Sequence, residues 1–307
     1  MNESNSIIIA VDHGYGNIKT VNTVFPSNII PCDGEPAFAQ DKLYWAGRWY
    51  AIGDGHKEFI DNKTQDDDYL LLTMAAIAKE LALMNLTEAQ VHLAVGLPLT
   101  WFGQQSEFFS RYLLRVPVLD YTFNDVDYHV ELTGAYVFPQ GLAAVSGRMR
   151  SFTGTNMLCD IGNGTMSSMF IINGNPQQER MFMEKYGTYQ CTLAVREALM
   201  KKLHLSVHDS EIEQVLRTGC SDSLSERVLE TIHEAAKVYV EGIMRSLREH
   251  GYNEETTKLY LMGGGAVLVK NFGEYDSNTV TFNEDIHATA KGYQALAEFK
   301  RKNGASR

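Results

Sequence analysis

The chain has no apolar run approaching the length of a membrane span, and its opening MNESNS has neither a basic n-region nor a long apolar stretch. Neither a membrane segment nor a secretory signal is expected, and the expected location is the cytoplasm. Cysteine is scarce, and Cys32, Cys159, Cys191 and Cys220 stand too far apart for metal-ligand spacing, so reduced thiols are the expectation. Positive charge is in deficit: 27 Lys and Arg face 38 Asp and Glu, a formal net charge of −11. That balance gives no general basic surface for nucleic acid or anionic lipid, so a DNA contact would fall to a partner or a small local patch. Low-complexity linkers are also missing. At 307 residues and 44% hydrophobic, the chain is long enough for two domains, and secondary structure must join them.

What is present centres on Ile7 to Thr20, IIIAVDHGYGNIKT, an apolar segment running into an acid, two glycines and a lysine. It predicts a strand, a tight turn and a second strand. A buried strand ending in Asp12 puts a carboxylate at the sheet edge, while Gly14 and Gly16 allow close backbone approach and outward N–H groups. With Lys19 as a positive charge, these are parts for holding a phosphate and its metal. The spacing G-x-G-x-x-K lacks the third glycine of the dinucleotide fingerprint and the P-loop spacing, and a hairpin with glycines in its turn is the alternative. A second copy shifts the balance. Asn156 to Ile172, NMLCDIGNGTMSSMFII, repeats the apolar approach, the acid and the glycines, so D-x-G-x-G starts at both Asp12 and Asp160.

Between the copies, Thr23 to Asp61 is rich in aromatics, Gly and Pro and reads as a compact insertion with a hairpin around Gly47 and a side-chain cluster of its own. Asp66 to Asp68 precede an apolar-periodic helix, where the dipole favours acids. Gln90 to Leu97 is a buried strand ended by Pro98, a helix follows from about Gly103 to Arg115, and Val116 to Leu132 suggests two strands joined near Asn124. AYVFPQGLAAVSGRM predicts a separate short strand into Pro139 and Gln140, then a small-residue helix suited to close packing. After the second copy, Gly187 opens a helix to about Leu203, with further helices near Asp209–Arg217 and Leu224–Glu249. The last carries Val228, Ile232, Ala235, Ala236, Tyr239, Ile243 and Leu247 at helical spacing. KLYLMGGGAVLV then runs a strand into Gly263, Gly264 and Gly265, a junction flat enough for a nucleotide's base and sugar or simply a tight turn. A helix from Ile286 to about Lys300 and a basic tail end the chain.

This order resembles the actin-like ATPase superfamily, whose corresponding segments are phosphate 1, connect 1, phosphate 2 and adenosine, and it covers nearly the whole chain. It is most similar to the bacterial plasmid-segregation actins, the ParM or StbA group. The matching residues are Asp12, Gly14, Asn17, Ile18 and Lys19, the GLP of Gly96 to Pro98, Tyr186 with Gly187, Gly263 to Gly265, and the closing ATAKGYQAL. At connect 1 the ParM group commonly has Glu where this chain has Gln140, the residue type of actin itself, and His13 and Tyr15 replace smaller residues of phosphate 1.

The resemblance implies an α/β, actin-like (ribonuclease H-like) fold of two domains, duplicated mixed sheets flanked by helices with a nucleotide cleft between them. Its domains would be 1–148, with a small insertion subdomain at about 25–90; 149–285, with a helical subdomain at about 186–256; and 286–307, returning to the first. It implies ATP, with GTP as the alternative, and Mg²⁺ held by Asp12 and Asp160 through water. Gly14, Tyr15, Gly16, Asn17 and Lys19, Gly162, Asn163, Gly164 and Thr165, Gly187, and Gly263 to Gly265 would bind nucleotide. Gln140 would orient the attacking water, with Asp12 and Asp160 also catalytic. The implied activity is slow ATP hydrolysis coupled to filament assembly and disassembly, driving plasmid DNA segregation. The implied partners are further copies of the chain and a small DNA-binding adaptor on a centromere-like plasmid site, with no direct nucleic-acid or membrane contact. The alternative is a non-polymerising small-molecule kinase or chaperone-like ATPase of the same fold.

Overall fold

The structure, a computed structural model, describes residues 6–53, 63 and 66–304. The chain divides into two units, Met1–Gly147 with Ile286–Arg307, and Arg148–Asp285. The end of the aromatic-rich Thr23–Asp61 stretch and the last residues of the basic tail lie outside the described residues.

In the first unit the apolar run Ile7–His13 forms β1. Side chains alternate along a strand, so Ile9 and Val11 enter one core while Ile8 and Ala10 enter another on the opposite face. Asp12 continues the second series. β2 (Asn17–Lys19) folds back antiparallel on β1, and β3 (Val24–Pro26) follows it. On its other side β1 runs parallel to β7 (Glu88–Leu97), which runs parallel to β9 (Val126–Pro139). Antiparallel β8 (Val118–Phe123), β5 (Asp41–Trp45), β6 (Arg48–Gly53) and β4 (Asn28–Cys32) complete a nine-stranded sheet in the order β3-β2-β1-β7-β9-β8-β5-β6-β4. Helices α1 (Asp68–Leu83) and α2 (Phe102–Leu113) cover the Ile9 face, where Leu72, Met74, Ala76 and Phe109 are buried. On the Ile8 face α8 (Ala288–Gly304) packs through Ala290, Tyr293 and Ala297 against Ala94 and Ala143, small residues that let a helix approach the sheet closely.

Three features of this unit differ from expectation. AYVFP is not a separate strand but the end of the 14-residue β9, whose extra residue Thr133 is absorbed as a bulge: Leu132 pairs with Val91, and Gly134 with His92. The small-residue helix is short. α3 spans only Leu142–Val145 and tightens into a 3-10 turn over Ser146–Ser151, which contains Gly147. The insertion strands do not keep a core of their own, because Ile29, Leu43 and Ile52 lie in the same core as Ile9 and Leu72. Joined edge to edge with β8, β5 places its apolar residues on the face that α1 already covers.

The second unit repeats the central arrangement with fewer strands. β10 (Thr155–Ile161) pairs antiparallel with β11 (Met166–Ile172) and parallel with β13 (Lys258–Met262), in a sheet ordered β12-β11-β10-β13-β14 with β12 at Asn175–Glu184 and β14 at Val280–Phe282. β14 is not expected from the sequence, since three residues, VTF, carry too little periodicity to stand out. Met157, Cys159 and Ile161 enter the core with α4 (Thr188–Leu203), α5 (Asp209–Thr218), α6 (Glu226–Glu249) and α7 (Ala266–Phe272). Asp160 falls in the opposite alternation. On α6, Val228, Ile232, Ala236, Ile243 and Leu247 are buried as the spacing predicts, while Ala235 and Tyr239 line a groove of about 760 Å³ beside α4. Among the described residues no helix is long and apolar enough to cross a membrane.

Candidate functional site

In the first unit the candidate site is the turn joining β1 to β2. Gly14 N–H donates to the carbonyls of Asp12 and Asn17, both at 3.2 Å, so the first glycine's amide closes the turn and is not left for a ligand. The amides of Gly16 and Asn17 are not used in that closure. Asp12 pairs in register with Lys19, is 4% exposed, and has its carboxyl raised above the usual range by burial, against the opposing attraction of Lys19 and then Lys63. Gln140 follows directly on β9, anchored by its N–H to the Leu97 carbonyl at 2.8 Å, and its Nε2 donates to Asp12 Oδ1 at 3.1 Å. The structure thus brings together Asp12, Lys19 and Gln140. A Gln whose nitrogen is anchored on a carboxylate keeps its Oε1 for a water proton.

The large residues of this turn have specific seats. His13 is buried edge-on to the rings of Tyr69 and Phe109, and its Nε2 lies 2.8 Å from Thr73 Oγ1. Thr73 already donates its hydroxyl proton to the Tyr69 carbonyl at 2.6 Å, so His13 must carry its proton on Nε2. Burial first, then the Lys63 charge, holds the imidazole well below its ordinary pKa of 6.5. The unfolded chain takes up a proton there that the native state refuses, so this histidine's contribution is present above about pH 6.5 and is lost as the pH falls below it. We expect the unfolding midpoint to decline below that pH and His13→Gln to flatten part of the decline. A variant with the parent's slope would remove His13 from this role.

Lys63 carries no mark in the sequence. It stands among polar residues before α1, yet its side chain is 1% exposed and its Nζ donates to the His13 carbonyl at 2.6 Å. The ammonium sits 5.8 Å from the Tyr15 ring centre and 5.3 Å from that of Tyr69, and burial lowers its pKa to about 8. No spacing signal could have found it, because the carbonyl it binds is some fifty residues away.

The second unit repeats the turn. Gly162 N–H donates to the Thr165 carbonyl at 2.8 Å, the counterpart of Gly14 and Asn17, each glycine standing two residues after its acid. Asn163 and Gly164 form the tip. Gly187 caps α4 against this turn: the N–H groups of Thr188 and Tyr189 donate to the carbonyls of Gly162 and Asn163 at 3.1 and 3.0 Å, and Thr188 Oγ1 donates to Asn163 Oδ1 at 3.0 Å. Any Cβ at Gly187 would lie 2.1 Å from the Asn163 carbonyl oxygen. Gly187 is therefore a contact between helix and turn, and the first free amides of α4 are consumed there. The glycine triplet divides in the same way. Gly263, at φ +81°, would set a Cβ 2.4 Å from Asp160 Oδ1, and Gly265 would set one 2.2 Å from Ile161 Cγ2, whereas Gly264 faces open space. Close packing on the end of β10 requires two of the three glycines, and it holds the Asp160 carboxylate against the β13–α7 junction.

Among the described residues no three His, Cys, Asp or Glu side chains gather as a metal cage; each unit by itself offers a single carboxylate beside its glycine turn, a donor type that suits a cation which keeps its waters.

Residues 10–142 match the family model described as the actin-like proteins' N-terminal domain. The fold is actin-like. The archaeal actin homolog Ta0583 in complex with ADP superposes with a TM-score of 0.76 at 19% identity, over 95% of this chain and 99% of that one. Bacillus thuringiensis ParM with ATP gives 0.68 at 12% identity, over 97% and 100%. A subunit of a 15-stranded ParM filament from Clostridium botulinum gives 0.72 at 18%, over 96% and 99%. No curated protein matches the sequence. At these identities the likeness establishes the fold of this chain and nothing of its chemistry.

Proposed function

We propose that this chain is an ATPase that assembles into filaments when it binds nucleotide and Mg²⁺, with the two half-sites serving one nucleotide. The observation that carries this reading is the repeated turn: an acid at the end of a central strand, a glycine amide closing the loop, and tip amides that the closing bond does not use, in each unit. The proposed roles are those of a phosphate clamp. Amides at Gly16 and Asn17 in one unit and Asn163 to Thr165 in the other hold phosphate oxygens, and Lys19 neutralises their charge. Asp12 and Asp160 hold waters of the cation, which when bound supplies charge neutralisation at the transferring phosphate. Gln140 presents Oε1 to the attacking water. Since Gln is a poor base, it contributes position and not proton abstraction, which gives slow turnover suited to timing a filament.

The same reading takes the units at 1–147 with 286–307 and at 148–285 as the two actin-like domains. It also takes plasmid segregation through a DNA-binding adaptor as the cellular role, supported by an acidic chain that leaves the DNA contact to a partner. The decisive measurement is sedimentation and light scattering on adding ATP and Mg²⁺. Nucleotide-dependent pelleting is expected above a critical concentration; a chain that hydrolyses ATP yet stays in the supernatant at every concentration would sink the filament and leave a soluble kinase or chaperone-like ATPase.

A further inference from the structure

Lys63 is a buried cation that the phosphate clamp leaves without a task. We propose that Lys63 is a positioning residue that fixes the Gly14–Asn17 turn for phosphate, an inference that rests on the nucleotide reading above. Burying an ammonium is costly unless it is well paired, and among the described residues this one has a single hydrogen bond, to the His13 carbonyl at 2.6 Å, plus the faces of two rings. An apolar side chain of the same length would satisfy the core better. What the charge achieves follows from where it sits. The His13 carbonyl is the last of β1 before the turn, and Tyr15 stands between its two glycines, so one nitrogen holds the residues on both sides of Gly14. The peptide planes that follow, and with them the amides of Gly16 and Asn17, inherit that orientation. The ammonium also lies close enough to Asp12 to act on its charge, so it adds positive potential where an anion is to be held.

The test is Lys63→Met in the full chain, which keeps the length of the side chain and removes its charge. Fluorescent analogues of ATP and ADP are titrated with Mg²⁺ present, and thermal unfolding is followed without nucleotide. The expected result is a Kd raised at least about tenfold for both analogues, with an unfolding midpoint equal to or above the parent's, because an apolar isostere relieves a buried charge. A variant that binds as the parent does overturns the proposal. So does one whose nucleotide-free midpoint falls or that fails to fold, since Lys63 would then be holding the fold and not the turn. A parent chain that binds neither analogue overturns the nucleotide reading itself, which separates the two failures.

Discussion

Asp12→Asn is expected to lower ATP turnover about 100-fold or more while leaving the unfolding temperature unchanged or raised. Asn keeps the shape of the side chain, and its Oδ1 can still accept the hydrogen bond that Gln140 Nε2 donates at 3.1 Å, so charge is the property removed. In the fold this charge is a burden, since burial is the largest influence on the Asp12 carboxyl and disfavours its ionised form. A residue kept only for structure would show the reverse pattern, with turnover near the parent's and a lower midpoint. Asp160→Asn makes the same test in the other unit. If the two half-sites serve one nucleotide, the double variant will be scarcely worse than the poorer single one, because residues acting on one transition state are not additive. Independent, multiplying losses would show two separate sites. Turnover within about threefold of the parent in either single variant would take that carboxylate out of the chemistry.

The residues at the two strand ends are legible in the sequence because the signal there is local. An acid, two glycines and a following strand fall within a dozen or so residues, and the recurrence of that pattern marks the hairpins at β1–β2 and β10–β11. Gln140 is legible by its place after Pro139. Local spacing does not show how neighbours distant in the chain share these parts. Gly187 and Gly263 look like ligand contacts, yet their missing side chains make room for the Asn163 carbonyl and the Asp160 carboxylate, a packing demand set by residues far along the chain. Lys63 is invisible for a related reason: a lysine among polar residues is ordinarily solvated, and only the approach of α1 and the β1 turn encloses it. The long β9 is hidden by Thr133 and Gly134, which break the alternation at the bulge.

Gly187 offers the sharpest check on this division of labour. Gly187→Val is expected to abolish measurable nucleotide binding and to lower stability by about 1–3 kcal/mol, the range for forcing atoms into a packed site. The strain has no side chain to relieve it. A Cβ would meet the Asn163 oxygen at 2.1 Å, its carbonyl carbon at 2.4 Å and the Gly164 carbonyl carbon at 2.6 Å, all backbone of the turn tip. α4 cannot simply withdraw, because Thr188 and Tyr189 are hydrogen-bonded to that turn and the Tyr239 hydroxyl donates to the Gly187 carbonyl at 2.8 Å. The turn is thus the part that yields, and its amides lose the geometry that phosphate requires. Gly264→Ala supplies the contrast: nothing lies within 4 Å of a Cβ there, so the nucleotide-free unfolding midpoint should match the parent's. A loss of affinity in that variant would therefore report a ligand at the open glycine, whereas unchanged binding in Gly187→Val would separate the second turn from the nucleotide altogether.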